Sequence, residues 1–259
     1  MQTISTVQWL DFLKSCADQA DDIARHYFQT SRFKIQQKSN NTPVTQADLE
    51  CESKIREMAQ QFYPGLPIMG EEHGQCPPDA PLKLIIDPID GTQNFIRGLP
   101  FFASLLAIEE NGKIVAGTVS APATKERWWA SAGEGCFYNG TKIHVSDLSD
   151  ISASVAFHSS IYGSEAKGAC PGFLPVLQAT KRQRGVGDYY CHMLVAMGCG
   201  EFAVDFNLNV WDMAPMKVII EEAGGRMTNA YGEDTIYTPS IVTSNGKFHD
   251  QIVKILNQV

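Results

Sequence analysis

The chain has 259 residues, 44% of them hydrophobic, and its formal net charge at pH 7 is −8. This acidic balance argues against a nucleic-acid partner, which requires a basic face. No apolar run approaches the roughly 20 residues of a membrane-spanning helix, and the N-terminus lacks the charged-then-apolar plan of a signal peptide. We therefore expect a globular protein of the cytoplasm with no membrane partner.

The seven cysteines stand singly along the chain, without a Cys-x-x-Cys pair, and the six histidines are equally dispersed. We expect reduced, mostly buried thiols and no zinc site. The sequence also lacks a Walker-type phosphate loop and a Gly-x-Ser-x-Gly elbow. Nucleoside-triphosphate hydrolysis and serine-hydrolase chemistry are therefore disfavoured.

The predicted elements begin with a long amphipathic helix, because apolar residues recur at three-to-four spacing from Val7 to Phe28. The polar segment 34–41 is predicted to be a loop. Thr45 and Asp48 have the spacing of a capping box, which predicts a second helix that runs to Phe62.

Short apolar runs then predict strands. Asn111-Gly112 is the kind of dipeptide that turns a hairpin between two of them. The predicted strands of this first half are 84–86, 103–108, 114–120 and 127–130.

The composition changes to serine and aspartate over residues 146–152. We interpret this change as the boundary between an N-terminal α+β domain, residues 1–147, and a C-terminal α/β domain, residues 148–259. The second domain is predicted to contain strands at 155–157 and 202–206 and helices at 173–181, 191–197, 211–222 and 249–256. Spacing alone indicates only a mixed α and β fold.

Two carboxylates stand at the end of the apolar strand 84–86, where Pro88 and Gly91 are expected to end it in a sharp turn. Asp87 and Asp90 can point toward one position there, and carboxylate oxygens are ligands that Mg²⁺ prefers. Asp-Pro and Asp-Gly are also common turn dipeptides, so an ordinary turn is the alternative.

Two further acidic positions accompany this motif. Glu71 and Glu72 follow an apolar stretch that ends in glycine, and Asp212 opens a predicted helix. Each has a simpler interpretation, a solvated loop for the glutamates and an acidic first helical turn for Asp212.

Together the motifs resemble the inositol monophosphatase superfamily, whose members are Mg²⁺-dependent and lithium-sensitive. The matching segments are 70–72, 87–92 with 94–95 following, 211–212 and 222–225. Within the superfamily the chain is most similar to the actinobacterial-type histidinol-phosphatases, through segments 42–48, 95–100, 119–122, 127–130 and 187–189. The resemblance implies a layered αβαβα sandwich and a homodimer.

The resemblance also implies two or three Mg²⁺ ions. Asp87 would bridge two of them. Glu71 and the backbone carbonyl of Ile89 would complete the first site, and Asp90 with Asp212 the second. A third, weaker ion would lie near Glu71.

By the same resemblance, the catalytic residues are Glu71, Thr92 and Asp48. Glu71 and Thr92 would orient the attacking water, and Asp48 would accept a hydrogen bond from the Thr92 hydroxyl. Gly91 and Thr92 would offer backbone N–H groups to the phosphate at a helix N-terminus.

The expected substrate is a small phosphorylated metabolite, bordered by Asp90 and Asp212. Asp205 falls where inositol-phosphate enzymes place a carboxylate against a sugar hydroxyl, and Asp188 falls where they carry a small apolar residue. A carboxylate at 188 suits the cationic L-histidinol phosphate. The alternative is that Asp188 only caps a helix starting at Tyr189.

The resemblance leaves other functions open. An inositol-1-monophosphatase or a broad sugar-phosphate phosphatase fits the metal motifs equally well, and a phosphatase of 3′-phosphoadenosine 5′-phosphate would usually be longer. A non-catalytic binding protein on this scaffold would be expected to have lost an acidic ligand. The leading prediction is a histidinol-phosphatase of histidine biosynthesis.

Overall fold

The structure, a computed structural model, describes residues 4–30, 34–37, 43–74, 76–77, 79–159 and 170–258. Its helices are α1 (Thr6–Thr30), α2 (Gln46–Phe62), α3 (Thr92–Ile96), α4 (Phe173–Gln178), α5 (Asp188–Ala196), α6 (Val210–Glu222) and α7 (His249–Leu256). Its strands are β1 (Ile35–Gln37), β2 (Pro43–Thr45), β3 (Ile68–Gly70), β4 (Leu82–Asp90), β5 (Ala103–Glu110), β6 (Lys113–Ala121), β7 (Glu126–Ser131), β8 (Gly135–Tyr138), β9 (Thr141–Ile143), β10 (Val155–His158), β11 (Arg182–Gly185), β12 (Phe202–Phe206), β13 (Arg226–Thr228) and β14 (Ser240–Ser244).

Two large sheets and three helical layers alternate. The first sheet has the strand order β3-β4-β5-β6-β7-β8-β9, and the second has the order β11-β10-β12-β14-β13. Helices α1 and α2 cover the outer face of the first sheet, and α5 and α6 lie between the two sheets. Helices α4 and α7 pack together on the outer face of the second sheet. This is the αβαβα sandwich that the resemblance implies.

Strand β4 is buried on both faces, which explains its continuous apolar run. Leu84 and Ile86 pack with α1 and α2, whereas Ile85, one residue out of phase, packs with the central layer. The central layer is closed by α6, which contacts strands of both sheets. The division at residues 147 and 148 stays a prediction.

The first two helices and the capping box are confirmed. The Thr45 side chain accepts a hydrogen bond from the Ala47 N–H, and the Thr45 N–H donates to Asp48 Oδ2 at 2.9 Å. The predicted loop at 34–41 is wrong for Ile35–Gln37, which pairs antiparallel with β2. Strand β1 is exposed and forms through backbone hydrogen bonds without an apolar pattern. Residues 38–41 lie outside the described part of the chain.

The predicted hairpin is confirmed between β5 and β6. Asn111 and Gly112 both have positive φ, 51° and 79°, as a type I′ turn requires. In the second half, the helix predicted at 173–181 ends at Gln178, and the helix predicted from 191 begins earlier, at Asp188.

All seven cysteines lie within the described residues, and none forms a disulfide; five are buried, Cys76 is half-buried and Cys199 is exposed. Among the described helices, none combines the length and the apolar character needed to cross a membrane.

Candidate active site

The two carboxylates of the Asp-Pro-Ile-Asp motif lie on a β-bulge. Asp87 pairs with Leu105 and Asp90 with Ala103. From the first pair to the second, β4 advances by three residues and β5 by only two, so β4 contains one extra residue. In a regular strand, residues three apart face opposite sides of the sheet, and one extra residue brings them to the same side. The prediction of a sharp turn after the strand is therefore wrong. Strand β4 continues to Asp90, and a bulge within it places the side chains of Asp87 and Asp90 on the same side of the sheet.

The third carboxylate comes from the start of α6. Asp212 Oδ2 accepts a hydrogen bond from Asn209 N–H at 2.7 Å, as half of a capping box that fixes the first turn. Ligand atoms of Asp87, Asp90 and Asp212 lie within 4.8 Å of one another. The structure thus brings together side chains that are far apart in the sequence.

The electrostatics of this group are those of crowded acids, of which Asp87 is buried and Asp90 and Asp212 are half-buried. Burial raises the pKa of Asp87 well above its usual range, and the charges of Glu71, Asp90 and Asp212 raise it further. Burial also raises the pKa of Asp212 to about 6. Hard oxygen donors that repel one another unless protonated fit a divalent cation such as Mg²⁺.

Glu71 lies on the segment that follows β3. Its N–H donates to Ile86 O at 3.2 Å, which ties this segment to the strand that carries Asp87. The Glu71 charge raises the pKa of Asp87, Asp48 and Asp212. Glu71 therefore borders the acidic group, although it is not among the residues within 4.8 Å.

Asp48 and Thr92 lie next to each other, close to the bulge of β4. Thr92 Oγ1 lies 3.3 Å from Asp48 Oδ1 and 3.1 Å from Ile89 O, to either of which its hydroxyl can donate. The other oxygen of Asp48 caps α2 by accepting from Thr45. Burial raises the pKa of Asp48 to about 6. One carboxylate therefore serves as a helix cap and as the acceptor beside Thr92.

Gly91 precedes α3 with a φ of 82°, in the left-handed region that favours glycine. A Cβ at this position would lie 2.8 Å from Phe101 O and 3.4 Å from Asp188 Oδ2. Close packing as well as backbone conformation therefore requires a glycine here.

Asp188 does not cap its own helix. Helix α5 begins at Asp188, and its N-cap residue, Gly187, makes no side-chain cap. Asp188 Oδ2 instead accepts from Asn94 Nδ2 at 2.7 Å, and Asp90 Oδ2 accepts from Tyr189 N–H at 2.7 Å. After burial, the charge of Asp188 is the largest cause that raises the pKa of Asp90. The cap interpretation is thus wrong, and Asp188 lies beside the acidic group.

Asp205 lies on β12, where its Oδ1 accepts from Phe206 N–H at 2.7 Å. Burial raises its pKa to about 7, and the charges of Asp188 and Asp212 add to this shift. The structure also brings Asp205 within 4.8 Å of the consecutive residues Cys191 and His192, a grouping that the sequence analysis does not predict.

Two residues near the site were missed by sequence reasoning. Asn94 belongs to the motif but was given no role; its Nδ2 donates to Phe101 O at 2.8 Å as well as to Asp188. Glu52 of α2 is fully buried and bonds to the segment after Glu71. The only signal for Glu52 was a glutamate on the apolar face of a predicted helix.

Comparisons with known proteins agree with this geometry. The profile of the inositol monophosphatase family matches residues 6–259. The histidinol-phosphatase of Mycobacterium tuberculosis is 38% identical over 93% of this chain and 95% of its own length. That of Streptomyces coelicolor is 36% identical over 93% of this chain and 94% of its own. The solved IMPase of Thermotoga maritima superposes with a TM-score of 0.85 at 32% identity, over 95% of this chain and 96% of that one.

Proposed function

Because this chain belongs to the inositol monophosphatase family and is a phosphomonoesterase, we propose that it is a Mg²⁺-dependent histidinol-phosphatase. It hydrolyses L-histidinol phosphate to L-histidinol and phosphate. The observation that carries the proposal is the half-buried Asp188 carboxylate, which lies beside Asp90 and bonds to Asn94. The names of the two relatives at 38% and 36% identity support it.

The family is metal-dependent, and the residues that would hold Mg²⁺ here are Asp87, Asp90, Asp212, Glu71 and the Ile89 carbonyl. When bound, Mg²⁺ supplies positive charge that offsets the phosphate and the leaving oxygen and makes water a better nucleophile. The raised pKa values of Asp87 and Asp212 support this ligand set, since a cation that replaces their protons relieves the repulsion between the carboxylates.

The chain's own groups position the water. The Thr92 hydroxyl can donate to Asp48 Oδ1, which leaves the Thr92 oxygen free to accept a hydrogen from an attacking water. An ionised Asp48 strengthens that acceptor, and Glu71 at the border of the group accepts the second hydrogen. Attack by water requires no covalent phosphoenzyme. The backbone N–H groups of Gly91 and Thr92 would hold the phosphate at the start of α3.

Asp188 and Asp205 select the alcohol part of the substrate. Two more acids beside the metal ligands, Asp205 buried and Asp188 half-buried, are costly unless a cation pairs with them, and desolvation raises the pKa of both. The ammonium of L-histidinol phosphate supplies that cation, and its protonated imidazole supplies a second.

The second candidate is an inositol-1-monophosphatase. Asp205 favours it, because a carboxylate is also a suitable acceptor for a sugar hydroxyl. The similarity to the Thermotoga maritima IMPase supports it as well.

A phosphate-release assay distinguishes the two. Wild-type protein with Mg²⁺ is given L-histidinol phosphate, inositol 1-phosphate and a nucleoside monophosphate at matched concentrations. We expect kcat/KM to be highest for L-histidinol phosphate by at least about tenfold, since a paired charge is worth about 1.4 kcal/mol or more in a desolvated site. A preference for inositol 1-phosphate would establish the second candidate instead.

The remaining features belong to the same proposal. Two or three ions, inhibition by lithium and a homodimer rest on the family resemblance. A location in the cytoplasm and a division into domains near residue 147 rest on the composition and pattern of the sequence.

A further inference from the structure

The segment after β3 is held by a buried carboxylate. Glu52 has no exposed surface. Its Oε2 accepts from Glu72 N–H at 2.7 Å, and its Oε1 accepts from His73 N–H at 3.1 Å. Two consecutive backbone N–H groups that converge on one carboxylate form a compact anion-binding arrangement. Glu71, which the proposed function places at the metal, is the residue immediately before them.

Arg56 completes this contact from the next turn of α2. Its Nε donates to Glu52 Oε1 at 2.8 Å, and its Nη2 donates to Gly74 O at 2.6 Å. The guanidinium therefore neutralises the buried carboxylate and also bonds to the far end of the same segment. Charge-assisted bonds of this kind are about twice as strong as neutral ones.

The carboxylate is also packed tightly against β3. A Cβ on Gly70 would lie only 2.1 Å from Glu52 Oε1. The segment 70–74 is thus wrapped around the end of the Glu52 side chain, and any shift of Glu52 moves the backbone on either side of Glu71.

Helix α2 carries Asp48 one turn before Glu52. Asp48 contacts Thr92, and Glu52 contacts the residues after Glu71. Residues four apart lie on the same face of a helix. One face of helix α2 therefore contacts both Thr92 and the segment that carries Glu71, the two residues that the proposed function assigns to the water. This face sets the distance between the two residues.

From these contacts we infer that Glu52, with Arg56, is a positioning residue that fixes Glu71 relative to Thr92 and to the metal-binding carboxylates. Glu52 touches neither substrate nor reacting atoms. Its effect passes through the backbone of residues 72–74. The inference rests on the proposed function, because it concerns the placement of a residue assigned there.

The test uses Glu52→Gln, which keeps the size of the side chain. The amide NH₂ replaces one acceptor oxygen, so one loop N–H loses its partner and Arg56 loses its ion pair. We expect the dissociation constant for Mg²⁺, measured by calorimetry on substrate-free protein, to rise at least about tenfold. We also expect kcat to fall at least about tenfold, with KM for the phosphate ester changed by less than about threefold.

The matched control is Glu57→Gln on the same helix. Glu57 pairs with Lys54 at 3.0 Å, and its side chain is 65% exposed, so this change removes a similar ion pair without touching the segment. Its Mg²⁺ affinity and kcat should equal those of wild type. Arg56→Lys is the second variant, because lysine keeps the charge but not both bonds of the guanidinium. It should weaken Mg²⁺ binding by an intermediate amount even where Glu52→Gln does not fold.

A purely structural role would lower the melting temperature of Glu52→Gln and of Arg56→Lys and leave Mg²⁺ affinity and kcat at wild-type values. That result would overturn the inference while the wild-type phosphatase activity stands. If the wild type itself binds no Mg²⁺ and releases no phosphate, the proposed function fails, and this inference fails with it.

Discussion

Ligand oxygens of Asp87 and Asp212 lie within 4.8 Å of each other, although one residue lies on the bulge of β4 and the other on the first turn of α6. Burial and neighbouring charges raise the pKa of both carboxyl groups, that of Asp212 to about 6, which favours their protonated forms. The two carboxylates bind a cation in their ionised form, so any bound proton must leave first. Metal binding and proton release are therefore coupled at this pair.

This coupling predicts that Mg²⁺ binding releases protons near pH 6.5. Calorimetric titrations of the substrate-free protein in two buffers of different ionisation enthalpy should give different apparent enthalpies, with at least about half a proton released per protein. Equal enthalpies in the two buffers would mean that the pair is already ionised.

Asp87→Asn should reduce activity by several orders of magnitude, because it removes a charge and a donor at the centre of the ligand set. The metal-free fold should be retained, since the substitution relieves carboxylate repulsion. Phosphate release and the melting temperature in chelator measure the two effects. Full activity of this variant, or of wild type after exhaustive chelation, is incompatible with the assigned metal site.

The stability of the metal-free protein should fall as the pH rises. The pKa values of Asp48 and Asp212 are raised to about 6 and that of Asp205 to about 7, from an ordinary value of 3.8. An acid whose folded pKa is raised stabilises the fold while it is protonated, and this contribution is lost as the pH rises from about 4 through 6 to 7. The melting temperature in chelator should drop by roughly 5 °C or more between pH 5 and pH 8.

Asp205→Asn is the control for this profile, because an amide resembles the protonated acid and can still accept from the Phe206 N–H. Its melting temperature in chelator should depend less steeply on pH. Mg²⁺ should raise the wild-type melting temperature more at pH 8 than at pH 5. A melting temperature that rises with pH would mean that the buried neutral His192 and His249, whose pKa values are lowered by burial to about 3 and about 4, outweigh the acids.

Thr92→Val should lower kcat by about 10²-fold or more and leave KM within a few-fold, because it removes the orientation of the water and leaves the phosphate ligands in place. Glu71→Gln should act in the same direction. Thr92→Ser keeps the hydroxyl that lies 3.3 Å from Asp48 Oδ1 and is the matched control. A loss confined to KM would assign Thr92 and Glu71 to binding.

Much of the fold was predictable because its elements have strong local patterns. The period of α1, the capping box of α2 and the Asn111-Gly112 turn each depend on neighbouring residues. The strands that were not predicted are β1, β2, β3, β8, β9, β11, β13 and β14. All except β14, which has five residues, have only three or four, so their apolar pattern is too short to detect.

The candidate ligands were also predictable, but their arrangement was not. A turn and a bulge look alike in the segment 87–90, and only the pairing with β5 distinguishes them. Asp188 was ambiguous because its partner, Asn94, is distant in the sequence. Glu52 was overlooked for the same reason, since its bonds go to a segment that sequence spacing does not relate to α2.

The central claim is that Asp188 selects a cationic phosphate ester, and Asp188→Asn tests it most directly. The amide oxygen can still accept from Asn94 Nδ2, so the variant removes the charge and keeps the contact. Asp147→Asn, at a side chain that is 99% exposed, is the control. We predict that Asp188→Asn lowers kcat/KM for L-histidinol phosphate at least about 30-fold and leaves that for inositol 1-phosphate within about threefold, as loss of a desolvated charge pair requires. An equal loss on both substrates, or no loss on either, would contradict the claim.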